Sequence, residues 1–205
     1  IIKKSEPIQK QRLEKLKEIA QTIPGSDLII IDDPEQLKKL ADLTAEMDRI
    51  RYTSQTGHYD FRAEARWTPE DALASRNGIN FKETVDLTPT EFAGFFVSKD
   101  WQVVKNLSDW GLGTGFGKIQ RKWINGSAAV GLLTVPSFST NEFFEGGRAL
   151  ERVWLTANQD GISTHPPSIS TLIFNSLVYD EKETLPKRMK DEANALLKEF
   201  ERIFN

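Results

Sequence analysis

The sequence predicts an α+β fold in one domain, mostly helical, with a few isolated strands. Three observations lead there. Apolar residues recur at helical spacing over most of the chain. Two short apolar runs, at 28–31 and 127–135, read as buried strands instead. No regular alternation of strand and helix connects them, which disfavours a doubly wound parallel sheet. A length of 205 residues suits a single domain with a full core.

The elements follow in order. Residues 1–23 are basic, and Leu13, Leu16, Ile19, Ala20 and Ile23 give a helical N-terminal extension with one apolar side. Pro24-Gly25 ends it, and Leu28-Ile29-Ile30-Ile31 is the first strand. Three helix starts share one design: Asp33-Pro34-Glu35-Gln36, Thr68-Pro69-Glu70-Asp71 and Thr88-Pro89-Thr90-Glu91. Each offers a capping oxygen, then a proline whose missing N–H costs nothing in the first turn, then an acid that complements the helix dipole. The first opens a long helix with Leu37, Leu40, Thr44 and Met47 on one face. Between the first two, residues 54–67 look polar and irregular, a surface loop. Gly78-Ile79-Asn80 and Val85-Asp86-Leu87 read as briefly extended.

Trp101, Val104 and Leu107 mark a helix that ends at Trp110-Gly111, and a second helix follows through Lys118 to Ile124. The strand at 127–135 stops at Pro136. Next comes the clearest element. Ser139-Thr140-Asn141-Glu142 is a capping box, and Phe143, Gly147, Leu150, Trp154 and Ala157 follow at helical spacing. Gly161 sits where a C-terminal cap belongs. This predicts a helix about 30 Å long, with small residues Gly146, Gly147 and Ala149 that would let another backbone approach, hence a buried central helix. Residues 168–179 form another helix. Met189, Ala193, Leu196, Phe200 and Ile203 stripe a last one, within 181–205.

Composition removes several function classes. Charges of +27 and −30 leave no global field for holding a polyanion, so nucleic acid is not an expected partner. No apolar run approaches a membrane span. With no cysteine, thiolate chemistry and cysteine-bound metals are excluded, and with His58 and His165 the only histidines, so is a multi-histidine metal site. The start at Ile1 lacks a signal-like pattern, which makes cytoplasmic the expected address and a piece of a longer chain the expected origin.

Few residues offer chemistry. Gly111-Leu112-Gly113-Thr114-Gly115-Phe116-Gly117-Lys118 resembles a phosphate cradle, but that pattern would place glycine at 112 and serine or threonine at 119, where Leu112 and Ile119 stand. The dinucleotide pattern fails at Phe116 or at Lys118, depending on which glycine starts it. A helix–helix connection is the simpler reading. His58, beside Tyr59, Asp60, Arg62 and Glu64, has the neighbours of an acid–base group but nothing to complete a relay, so a surface or structural histidine is expected. Arg148 with Glu151 reads as helix decoration, and the tryptophans at 67, 101, 110, 123 and 154 as core or interface. Asn125-Gly126-Ser127 matches a glycosylation acceptor without a secretory context. Ser163-Thr164-His165-Pro166-Pro167 is a proline-stiffened loop that holds backbone groups at the end of the strongest helix.

The run Gly147-Arg148-Ala149-Leu150-Glu151-Arg152-Val153-Trp154-Leu155-Thr156-Ala157, with Gly161-Ile162-Ser163 and His165-Pro166 after it, resembles the nitroreductase-like flavoprotein superfamily. The strand before it and the stretch from Trp67 to Gly78-Ile79 share the likeness, which covers residues 60–180. It is nearest to a divergent subgroup fused behind an adenylating domain of the ubiquitin-activating type. The resemblance implies an antiparallel sheet packed between helices around a long central helix, and an intertwined homodimer. It implies FMN at the dimer interface and hydride transfer from NAD(P)H to nitro, quinone or similar small-molecule acceptors. Ser163, Thr164, His165 and Pro166 are the positions it places near the flavin. The chain departs from the family in lacking an early arginine–serine segment for the FMN phosphate, an Asn-Gln pair at 22–27 and a late strand carrying an arginine. The alternative is a non-catalytic dimerisation or interaction domain of a larger protein that has lost flavin binding.

Overall fold

The structure, a computed structural model, describes residues 5–167, 169–179 and 185–205. Helix α1 (Lys10–Gln21) buries Leu13, Leu16 and Ala20 and leads into strand β1 (Asp27–Ile31). Asp33 caps helix α2 (Pro34–Thr53) by accepting from the amides of Glu35 at 3.1 Å and Gln36 at 2.9 Å. Helix α3 (Gln55–Glu64), strand β2 (Ala65–Arg66), helix α4 (Pro69–Ser75), strand β3 (Ile79–Asn80) and helix α5 (Phe81–Thr84) follow. Helices α6 (Pro89–Val97) and α7 (Trp101–Asp109), a short 3-10 helix (Thr114–Gly117) and helix α8 (Lys118–Gly126) precede strand β4 (Val130–Thr134). Helices α9 (Thr140–Gln159), α10 (Ile169–Tyr179) and α11 (Lys187–Phe204) complete the described chain.

The proline-second helix starts behave as the sequence requires. Thr68 accepts from the Asp71 amide, and Thr88 forms a full capping box with Glu91. Ser139 accepts from the Glu142 amide at 3.3 Å, the forward half of the expected box.

The class is α+β. β1 and β4 pair antiparallel, Leu28 opposite Leu133 and Ile31 opposite Val130. Side chains alternate across such a pair, and here both faces are covered. Leu28, Ile30 and Leu133 join Leu16 and Ala20 of α1 and Val153 and Ala157 of α9. Ile29, Ile31, Val130 and Leu132 join Leu37, Leu40 and Ala41 of α2, Ile124 of α8 and Phe204 of α11. A small antiparallel sheet therefore lies between two helical layers. β2 and β3 form a separate two-residue parallel pair.

Three expectations need correction. The central helix is α2, not α9. Leu37, Leu40, Ala41, Leu43, Thr44, Ala45, Met47, Ile50 and Thr53 of α2 are all buried, around more than one side of the helix. Apolar positions that wrap a helix demand neighbours all round, and α3, α7, α8, α10 and α11 supply them. α9 buries only Gly146, Ala149, Val153 and Ala157, and leaves Phe143, Phe144, Leu150 and Leu155 exposed. The second correction concerns residues 54–67. They hold α3 and β2, because Ser54 caps the Gly57 amide and His58 and Phe61 turn inward three residues apart. Val85-Asp86-Leu87 forms no strand, whereas Ile79–Asn80 does.

Candidate functional site

α9 ends as its glycine predicts. Gly161 takes φ +71°, a left-handed conformation that glycine adopts freely. The Gly161 and Ile162 amides then close the helix onto the carbonyls of Asn158 at 2.9 Å and Ala157 at 2.8 Å. Beyond this cap Ser163, Thr164, His165 and Pro166 are all exposed. Among the described residues, the ring contact at this loop joins His165 edge-on to Trp123 of α8, with centroids 4.8 Å apart. A flavin needs enclosure of its ring and N–H or cationic partners for its phosphate. Of the buried side-chain polar atoms lacking a partner among the described residues, Ser26 Oγ, His58 Nε2 and Asn80 Oδ1, none belongs to this loop. The residues of one chain alone do not fit FMN; they form a single wall.

The glycine-rich stretch has a packing role. Gly113 takes φ +100°, and a Cβ there would lie 2.9 Å from Thr53 Cγ2. A Cβ on Gly117 would lie 2.2 Å from the Ala45 carbonyl oxygen. These glycines let the start of α8 press against α2, and the connection between α7 and α8 is the simpler reading realised.

Titratable groups collect on and beside α2. Burial pushes the Asp48 carboxyl up to about 7, against the pull of Arg51. Burial also raises the Tyr52 phenol, with Asp48 adding to the effect. Tyr52 lies among Phe61, Phe95 and Phe116, with centroid separations of 4.8, 5.6 and 5.4 Å. His58 is 2 % exposed, not a surface residue. Burial and then Arg62 hold its imidazole below the usual range, while the Lys99 backbone and Asp100 pull it up. Sequence reasoning passed over Asp48, because α2 also carries Glu35, Asp42 and Glu46 and nothing local sets Asp48 apart from them. Among the described residues no group of histidines and acids is placed to hold a metal.

The most extended unsatisfied feature is the outer side of α9. Phe143, Leu150 and Leu155 are exposed, Phe144 is 66 % exposed and Trp154 38 %. A Cβ on Gly147, in the middle of this strip, would meet nothing within 4 Å. The strip continues at one end through Phe138, which meets Phe143 edge-on at 4.9 Å and stacks on Tyr179 of α10 at 4.1 Å. Arg148 pairs with Glu145 at 2.6 Å instead of the expected Glu151, and Arg152 donates to Thr22 Oγ1 at 2.8 Å. The tryptophans diverge: Trp67 is buried, Trp110 is 71 % exposed, and Trp101 and Trp123 lie between.

No described family profile matches the chain, and no solved structure matches it significantly. It is similar to an uncharacterized protein of Mycobacterium tuberculosis (strain CDC 1551 / Oshkosh), 26 % identical over 144 residues. The match covers 70 % of this chain and 20 % of that protein, so the chain spans about one fifth of its relative's length. Among the described residues no helix is long and apolar enough to cross a membrane.

Proposed function

We propose that this chain is a homotypic assembly domain that pairs through α9, and that the pair is the working unit. The exposed stripe Phe143, Gly147, Leu150 and Trp154 carries this reading. It has the spacing of a buried helix face, yet one chain leaves it open. Its order suits a two-fold axis. An antiparallel second copy centred between Gly147 and Leu150 sets Phe143 level with Trp154 of that copy, and Gly147 level with its Leu150. The open space at Gly147 then receives a leucine, and the contact repeats itself, as an isologous interface must. Burying the remaining exposed halves of Phe143, Leu150 and Trp154 is worth about 1 kcal/mol each.

Light scattering across a concentration series tests this. The full chain is expected at twice its monomer mass, and Leu150→Asp at monomer mass with an unchanged melting temperature. A wild-type chain that stays monomeric at every concentration overturns the proposal.

A nitroreductase-like, FMN-dependent NAD(P)H oxidoreductase acting on nitro or quinone acceptors is the second reading. What favours it is position: Ser163, Thr164, His165 and Pro166 follow directly from the pairing helix, with the Trp123 ring beside them. A wall at that place becomes a cleft only if a second copy supplies the other side. A fused adenylating domain belongs to the same reading, and the matched relative is long enough to hold further domains. FMN titrated into the dimer, followed by flavin fluorescence, separates the two readings. Unquenched flavin removes the oxidoreductase and leaves the assembly domain.

A further inference from the structure

His58 is a buried titratable group that neither reading of α9 uses. It is the fourth residue of α3, and its ring meets those of Tyr59 and of Trp101 in α7 in a triangle, with centroid separations of 5.5 and 5.3 Å from His58 and 6.3 Å between the other two. Its Nε2 is buried and has no hydrogen-bond partner among the described residues. A neutral imidazole tolerates that, because one ring nitrogen carries no proton. The imidazolium does not: both nitrogens then carry N–H, and an unsatisfied buried charged donor is costly. The surroundings add to the penalty. Arg62 follows one turn later on the same helix, and the N-terminal turn of α3 disfavours positive charge. The groups acting the other way are the Lys99 backbone and the Asp100 carboxylate, both at the turn into α7. Asp100 is occupied in capping α7, where it accepts from the Gln102 amide at 2.8 Å.

We infer that His58 is a pH-sensitive fastening between α3 and α7, closed while its ring is neutral and opened when the ring takes a proton. The sign follows from linkage. The folded ring binds its proton less readily than the unfolded one, whose value is 6.5. The contribution is therefore complete above that pH and is lost as pH falls toward the lower folded value. Opening withdraws His58 from Trp101 and frees an aromatic surface on α7.

Hydrogen exchange of the full chain, corrected for intrinsic rate, tests this from about pH 8 down to about pH 5. Amides of α3 and α7 are expected to lose protection by up to about tenfold per pH unit below the unfolded value, the limit for one proton. Amides of α9 are expected to hold theirs. In His58→Gln the pH dependence of α3 and α7 is expected to vanish. If that variant fails to fold, NMR titration of the wild-type His58 ring decides, with its midpoint expected below the ordinary imidazole value of 6.5. Loss of protection in α3, α7 and α9 together marks a global acid response and overturns the inference. So does a His58 ring that titrates normally while α3 stays protected.

Discussion

Two aromatic regions of this molecule meet opposite fates. Around the short helices α3 to α7, Phe61, Trp67, Phe81, Phe95 and Phe116 are buried against one another. Along α9 and α10, Phe138, Phe143, Phe144 and Tyr179 are exposed. The residue types are alike; the lengths of the helices differ. α5 has four residues, and α6 and α7 nine each, so the chain turns back often enough for rings on successive elements to meet. Phe61 alone touches Tyr52, Trp67, Phe81 and Phe95 in this way. α9 runs twenty residues without a turn, and α1 and β4 occupy only one side of it. Length alone does not decide this, because α2 is also twenty residues long and has neighbours all round; among the described residues α9 lacks neighbours on its other side. The lesson is that an aromatic at helical spacing reports a buried face, but not whose chain buries it.

Three measurements sharpen the contrast. The largest effect is expected at Phe61→Ala, which removes a ring from a closed cluster and is predicted to cost about 3–5 kcal/mol in urea unfolding. A cost below about 1 kcal/mol would mean the cluster is not a packed core. Asp48→Asn comes next. The folded Asp48 carboxyl holds its proton up to about 7, against 3.8 unfolded. Its contribution is therefore present below the unfolded value and lost as pH rises through about 7. The wild type is expected to lose more stability than Asp48→Asn between about pH 4 and about pH 7, the span between the unfolded and folded values. Equal losses in both proteins would place Asp48 in water. The smallest effect is expected at Phe144→Ala, within about 0.5 kcal/mol in monomeric chain at low concentration. The same substitution is expected to weaken self-association, so a large loss in the monomer would show that the open strip is already covered.

Much of the fold was legible. The proline-second helix starts, the strand at 28–31, the helix from Thr140 and the glycine that ends it all stand where local chemistry put them. These features depend on capping oxygens, proline and apolar period, which act within a few residues. α3 was not legible, because Gln55-Thr56-Gly57-His58 has no apolar period of its own and Phe61 supplies one inward residue late. The candidate site was less legible still. Ser163, Thr164, His165 and Pro166 were expected together, as neighbours in sequence must be, but Trp123 beside them, the half-buried Asp48 and the buried His58 come from contacts between distant elements.

By itself the sequence determined a cysteine-free, nearly neutral, mostly helical α+β domain with its helix ends in place. Local propensity and charge count are properties of the chain alone, so nothing distant was needed. Only the tertiary structure decided that α2 is the hub, that the glycines at 113 and 117 serve packing, and that the stripe on α9 stays open. Those outcomes depend on which apolar surfaces find each other first in space. Burial is a competition among all elements, and no single element's pattern records who wins it.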